Sequence, residues 1–434
     1  MEMNTNGEFF QRSTCRLCDS RNVSVAFKLD PIPWSERYAN TREEALKMPL
    51  YPLEMYMCTD CGHVQQLGFI SSKDLWDDYT YSSGQSAGLV EHFERVADDL
   101  LAKHYVPKGG LIVDVGSNDG SLLKPFLKRG YKVLGIDPAK EIARKATENG
   151  IETIPQVLTM ELAQEIRRQH GSADVIFAFN SYAHCDDIRG MTEAIKAMMD
   201  ENTVFMFEAQ YLFDVLDKTL VATIFHEHMS HHSIKPMVSF LREHWLKLVD
   251  VQRVPVQHGA IVGTVQFPVR GRETMDSVKD LLALEAAYGL DKISTIQAFG
   301  ERIQKTKDAL RVLADQWDSN GSVIAGYGAA HSGPTLISAL GLKGKLSYVF
   351  DDHKMKVGKF TAGDGLEVLP TAEINNLRPD YVVILAWVHA DKIIRENQEY
   401  LDRGGKFVVL CPHFRVVSKA VKLEATPMLM QANG

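Results

Sequence analysis

At 434 residues, with 45% hydrophobic and 24% charged residues, the chain is long and apolar enough for two or three domains with separate cores. A net charge of -8 leaves no basic excess to displace counterions from a phosphate backbone, so no nucleic-acid partner is expected. No run is apolar enough to span a membrane, and the opening MEMNTNGEFF holds no signal-peptide core. The expectation is a cytoplasmic protein with no membrane association and no obligate protein partner.

The first motif is a pair of CxxC segments, Cys15-Arg16-Leu17-Cys18 and Cys58-Thr59-Asp60-Cys61. Each lets two sulfurs bite one tetrahedral ion, and four thiolates close a structural zinc site with no open position. Gly62 beside Cys61 allows the tight turn of such a knuckle. His63 reads as a surface residue and not a ligand. A redox CxxC sits alone at a helix start, so zinc is preferred over a redox pair or plain buried cysteines. Pro31, Pro33, Pro49 and Pro52 predict a small, loop-rich module over residues 1–72. The stretch 74–83, rich in aromatics and hydroxyls, reads as a solvated connection. A lid offering the phenol of Tyr79 or Tyr81 is the alternative.

Residues 73–272 form the second predicted domain. Leu89, Phe93, Val96 and Leu100 have helical spacing and lead into a strand over 110–116. The loop Gly116-Ser117-Asn118-Asp119-Gly120 follows, then a helix, then a strand over 131–136 ending at Asp137. This is a βαβ unit in which glycines admit a nucleoside to the backbone and Asp137 accepts ribose hydroxyls. Asn118 and Asp119 stand where a pyrophosphate would want neutral amides, so S-adenosylmethionine is favoured over NAD. Further strands end at Asn180 and at Glu208, which brings Asn180 and His184 to the carboxyl edge of the sheet, where such folds bind ligands. Asp114, Gly116, Asn118, Asp119, Gly120, Asp137 and Asn180 are the candidate cofactor contacts.

Residues 273–434 repeat the pattern as a third domain. Helices run over about 273–317, and a strand, the loop Gly326-Tyr327-Gly328-Ala329 and a helix precede a strand ending at Asp351. The fold class is therefore α/β: a zinc module, a Rossmann-like S-adenosylmethionine domain and a second Rossmann-like domain. The last could hold NAD, the pyrophosphate of a nucleotide-linked substrate, or nothing, and substrate anchoring is favoured because no second catalytic cluster accompanies it.

Just beyond Glu208 lies Phe225-His226-Glu227-His228-Met229-Ser230-His231-His232. It is not a zinc-protease motif, since the i+4 partner of His226 is Ser230 and His228 is followed by Met229. A dense set of groups able to move protons near neutral pH remains. Against this stands the reading that at least two of these histidines cap or solvate a helix end.

Taken in order, these motifs resemble the sugar C-methyltransferase family, whose members methylate C3 of nucleotide-linked 4-keto-deoxysugars. The likeness covers nearly the whole chain. It rests on the four cysteines, the Tyr79–Ser83 linker, Asp114–Gly120, Asn180 with His184, His226-Glu227-His228, Gly326–Ala329, Leu385-Ala386-Trp387 and Gly404–Phe407. The resemblance implies His228 as general base, with Glu227, His184 and Tyr79 supporting catalysis. It also implies structural zinc, S-adenosylmethionine as cofactor and a nucleotide-linked keto-sugar as substrate. Three positions depart from the family: Phe225 replaces a tyrosine, Ser332 a lysine and Val388 an asparagine. The last two fall in the predicted sugar-nucleotide domain, so the usual thymidine-diphosphate substrate is not assumed. The rival classes are an NAD-dependent sugar-nucleotide oxidoreductase or epimerase using the Gly326 loop, and a zinc-bearing scaffold without activity.

Overall fold

The computed structural model describes residues 2–3, 9–70 and 82–419, which fall into two compact units. Of the described residues, the first gathers those within 1–24, 56–213 and 227–293, and the second those within 25–55, 214–226 and 294–419. Among the described residues no helix is long and apolar enough to cross a membrane.

The first unit is built on a seven-stranded sheet. Five parallel strands lie in the order Thr153–Ile154, Lys132–Ile136, Leu111–Val115, Val175–Phe179 and Val204–Gln210. Continuous apolar runs such as Val175–Phe179 are buried throughout, as strands covered on both faces require. The helix Ala87–Lys103 sets Leu89, Phe93, Val96 and Leu100 into a core with Phe126, Phe177 and Phe179. Two antiparallel strands, Ala260–Gln266 and Lys247–Val254, finish the sheet and were not legible in the sequence. They correct the expected strand end at Glu208. That strand continues to Gln210 because Ala260 to Val265 supply a second ladder beside it.

The segment between the cysteine pairs is more regular than its prolines suggest. Val23–Pro33 is an eleven-residue strand and Leu50–Cys58 a nine-residue one. Between them Arg42–Lys47 is a helix closed by a capping box from Thr41 and Glu44. Proline is compatible with a strand wherever its missing N–H is not called on by the ladder.

The second unit carries an eight-stranded sheet ordered Arg415–Val417, Lys406–Val409, Tyr381–Ile384, Ile324–Tyr327, Tyr348–Phe350, Glu367–Leu369, Phe360–Thr361, Tyr38–Ala39. Its central strands repeat the winding of the first unit, and so does a local device. In the first unit the Gly116 amide donates to the Ile136 carbonyl (2.7 Å), while Asp137 accepts the amides of Asn118 and Ala139 (both 2.8 Å). In the second the Gly328 amide donates to the Phe350 carbonyl (2.7 Å), while Asp351 accepts those of Ala329 (2.8 Å) and His353 (2.7 Å). Each acid thus fixes the glycine loop to the tip of the neighbouring strand.

Candidate active site and metal centre

The four cysteine sulfurs lie within 4.8 Å of one another. Cys15 and Cys61 are 3.7 Å apart at sulfur, and Cys18 and Cys58 are 3.6 Å apart. A zinc ion with four bonds of about 2.3 Å needs sulfurs about 3.8 Å apart, so the cluster fits that ion. Its electrostatics point the same way. The neighbouring Cys61 thiol pulls Cys15 down to about 5, while Cys61 itself is pushed up by that hydrogen bond and by burial. Burial also pushes Cys18 up to about 12. Four crowded thiols cannot all ionise without a cation among them. Gly62, at φ +82°, makes the turn that lets its amide donate back to the Cys58 carbonyl. His63 is fully buried, which corrects its expected place on the surface. Its backbone carbonyl accepts from the Cys58 amide, and its ring stacks near that of His232 (5.6 Å between centroids).

The glycine loop lies at the carboxyl edge, as expected. Gly116 adopts φ +82°, and a Cβ there would stand 2.5 Å from Cβ of Ser181. Gly120, at φ +75°, is closed off in the same way by Ile151. Asp114, Gly116 and Asn180 line one cavity with Ser83, Ser117, Phe179 and Gln257. Within it Asp114 Oδ1 and Ser117 Oγ are buried with no protein hydrogen bond. Burial, and then the charge of Asp137, raises Asp114 well above the usual carboxylate range. Unfilled acceptors and a lining without basic side chains suit a phosphate-free nucleoside such as S-adenosylmethionine.

Asn118 and Asp119 have a different immediate task. The Ser83 amide donates to Asn118 Oδ1 (2.9 Å), and the Ser82 hydroxyl (2.6 Å) and Gly84 amide (2.9 Å) donate to Asp119 Oδ2. Burial opposes ionisation of Asp119, yet those bonds and the one from Ser121 hold it below the ordinary range. The pair fastens the segment Ser82–Gly84, which leads into the helix Ala87–Lys103, to the loop.

A residue the sequence did not flag is His92. It pairs with the buried carboxylate of Glu208, whose other oxygen accepts the Asn180 side-chain amide (2.9 Å). Asn180 is thereby held at φ +52°. The signal was available: an acid inside the apolar strand Val204–Gln210 demands a buried partner.

The histidine run is neither helical nor solvated. Ser230–His231 is a short strand paired with Val64–Gln65, so this part of the run is woven into the cysteine-bearing segment. Phe225 and His226 belong to the second compact unit and Glu227 onward to the first. His226, His231 and His232 are buried, which corrects the helix-capping alternative. Glu227 is buried as well. His228 is half-buried, as is His184, and the two rings meet edge to face with centroids 4.9 Å apart at 67°. The expected pair is thus brought together, whereas Tyr79 lies outside the described residues. Phe225 is buried beside the His331 ring in the second unit (6.1 Å), where Glu36 is ion-paired to His331 (3.2 Å) and Lys356 (2.8 Å).

The buried imidazoles carry a pH signature. Burial lowers His63 well below its usual value, His226 and His232 to about 4, and His231 to about 3. They fold neutral, so their contribution is complete above the unfolded value near 6.5 and is lost as pH falls from there toward the folded values. Each should remove about 1 kcal/mol of stability per pH unit below 6.5. Denaturant unfolding between pH 7 and pH 5 measures the slope, and a flat profile would contradict it.

The chain matches three family descriptions in sequence order. They are "Putative zinc binding domain" over residues 15–76, "Methyltransferase domain" over 90–258 and "C-methyltransferase C-terminal domain" over 255–412. The first begins at Cys15 and spans all four cysteines. The C-methyltransferase NovU of Streptomyces niveus is 29% identical over 405 residues, which is 93% of this chain and 96% of that protein. A ubiquinone biosynthesis O-methyltransferase of Acinetobacter baylyi is 28% identical over 159 residues, covering 33% of this chain and 66% of that one. Among solved structures, the PH0226 protein of Pyrococcus horikoshii aligns at TM-score 0.37 and 14% identity, covering 45% of this chain and 99% of its own. Magnesium protoporphyrin IX methyltransferase of Synechocystis aligns at TM-score 0.34 and 16% identity, covering 45% of this chain and 92% of its own.

Proposed function

Because the chain belongs to the S-adenosylmethionine-dependent C-methyltransferase family, with a zinc-binding domain at its N-terminal side, we propose that it methylates C3 of a nucleotide-linked 4-keto-deoxysugar in the cytoplasm. On this reading residues 1–72 are the zinc module, 73–272 bind the methyl donor, and 273–434 help hold the sugar nucleotide. The observation that carries the reading is the His184–His228 pair, both rings half-buried, with His228 standing in a run whose other histidines are buried.

A ketone at C4 acidifies the hydrogen on C3. His228 takes that proton as general base and leaves an enolate, a role suited to an imidazole that is mostly neutral at physiological pH. His184 and Tyr79 polarise the C4 oxygen as negative charge gathers on it. Glu227 orients an imidazole or a sugar hydroxyl. Bound S-adenosylmethionine supplies an electrophilic methyl group on a sulfonium. Asp114, Gly116, Asn118, Asp119, Gly120, Asp137 and Asn180 are the residues proposed to hold it, the unfilled acceptors of Asp114 and Ser117 being the ones a bound nucleoside would satisfy. Cys15, Cys18, Cys58 and Cys61 hold zinc as a structural ion, since four thiolates leave no position for substrate.

The test is a mass-spectrometric screen of 4-keto-sugar nucleotides with S-adenosylmethionine. One added methyl on one of them is the expected result. Calorimetric titration should show heat of binding with S-adenosylmethionine and none with NADH. No methylated product from any keto-sugar nucleotide would end the proposal.

A further inference from the structure

Arg16 is the second residue of the first CxxC, a place where sequence reads only a spacer. Its side chain is 1% exposed overall, among the largest fully buried side chains in the molecule. A guanidinium withdrawn from water so completely must be spent on specific partners, because an unmatched buried charge costs several kcal/mol. Those partners lie in three segments far apart in sequence. The guanidinium donates to the Gln66 carbonyl and, at 3.4 Å, to the Met229 carbonyl, next to His228. It also pairs with the Asp186 carboxylate (3.1 Å), two residues beyond His184. Gln66 completes the link, since its side-chain amide donates to the His228 carbonyl (3.0 Å) and its backbone amide to that of Met229 (2.9 Å).

We propose that Arg16 is a positioning residue, a bracket by which the first cysteine knuckle holds the loops carrying His184 and His228 at their working separation. The proposal rests on the catalytic reading of those two histidines given above. A planar guanidinium reaches two carbonyls and a carboxylate at fixed angles, which a flexible ammonium does not reproduce. The two histidine loops also pack on each other, with Tyr182 beside His232 (5.9 Å between ring centroids), and the bracket adds to that packing a polar tie of fixed geometry. The cysteine knuckle then does more than fold its own segment: it sets the geometry of a proton transfer in which a displacement of about 1 Å can cost about 100-fold in rate.

Two variants of the full-length zinc-loaded protein test this. Arg16→Lys keeps the charge without the fork, and Asp186 keeps a second partner in Arg12 (3.1 Å). Gln66→Met removes the donor to the His228 carbonyl while keeping the side chain's bulk, and it covers the case in which Arg16→Lys fails to fold. In each we expect zinc content and S-adenosylmethionine affinity to stay at parental values. kcat should fall roughly 10- to 100-fold with KM within about threefold, the range seen when supporting partners of reactive groups are removed. The pH profile of kcat should shift, and amide hydrogen exchange should rise at least about tenfold in the peptides carrying His184 and His228. Unchanged exchange in both variants would overturn the inference whether or not methyl transfer is found. Loss of zinc in step with activity would also overturn it, by making Arg16 a support of the metal alone. Faster exchange with zinc retained supports the bracket even if the parental protein methylates no keto-sugar, an outcome that would defeat only the proposed reaction.

Discussion

Replacing His228 by alanine is expected to lower methyl transfer by 10²–10⁴ while S-adenosylmethionine still binds. The magnitude is that of removing a general base from a reaction whose first step is proton abstraction. Selectivity for turnover over cofactor affinity follows from placement. The Gly116–Gly120 loop is fixed by Asp137 through its own backbone contacts, none of which involves the histidine run. The half-buried His228 ring can leave without opening a large void, unlike the fully buried His232 beside Tyr182 (5.9 Å). Product formation by mass spectrometry and cofactor affinity by calorimetry give the two readouts. Normal turnover would remove His228 from the base role. Loss of cofactor binding in parallel would show that the variant had damaged the sheet edge instead.

Removing the metal should have the largest effect on stability. Cys15 and Cys58 are fully buried, where thiolates are costly unless a cation is held among them. Structural zinc sites in small domains contribute about 10–16 kcal/mol of apparent binding energy at neutral pH, much of it folding energy. Chelation, or Cys58→Ser, should therefore lower the thermal midpoint by more than about 10 °C. Because Val64–Gln65 pairs with Ser230–His231, the loss should reach the histidine run and turnover as well. Elemental analysis should find one zinc per chain before treatment and none after. A metal-free protein with an unchanged melting profile would contradict this account.

Much of the architecture was legible because several central strands are apolar runs closed by a glycine or an acid. Leu111–Val115 before Gly116 and Lys132–Ile136 before Asp137 are of this kind. The cysteine spacing and the position of His184 beyond a strand end were legible for similar local reasons. What escaped was long-range. The strand Ser230–His231 finds its partner some 165 positions earlier in sequence, and no periodicity in two residues can announce that. His63 looked like a surface residue because burial of a histidine is decided by what packs on it, here His232 and Ser230. Arg16 was hidden by its motif, since a residue inside CxxC is read for its spacing and not its side chain. The hairpin of Lys247–Val254 and Ala260–Gln266 was missed because both strands continue an already apolar region without an Asn-Gly type turn.

The cysteine pairs also act on chain topology. Cys18 and Cys58 are 40 positions apart, and the stretch between them from Val25 to Met55 folds into the other compact unit. A metal gripping both ends turns that excursion into a closed loop, cross-linked at its neck as a disulfide would cross-link it. In the chain-entropy picture, closing a loop of this length takes about 4 kcal/mol of freedom from the unfolded state. The ion therefore acts on a strand and a helix that it never touches. Titrating zinc into the unfolded chain should shorten the search of residues 25–55 for their place, so metal added before refolding should speed assembly more than metal added after it.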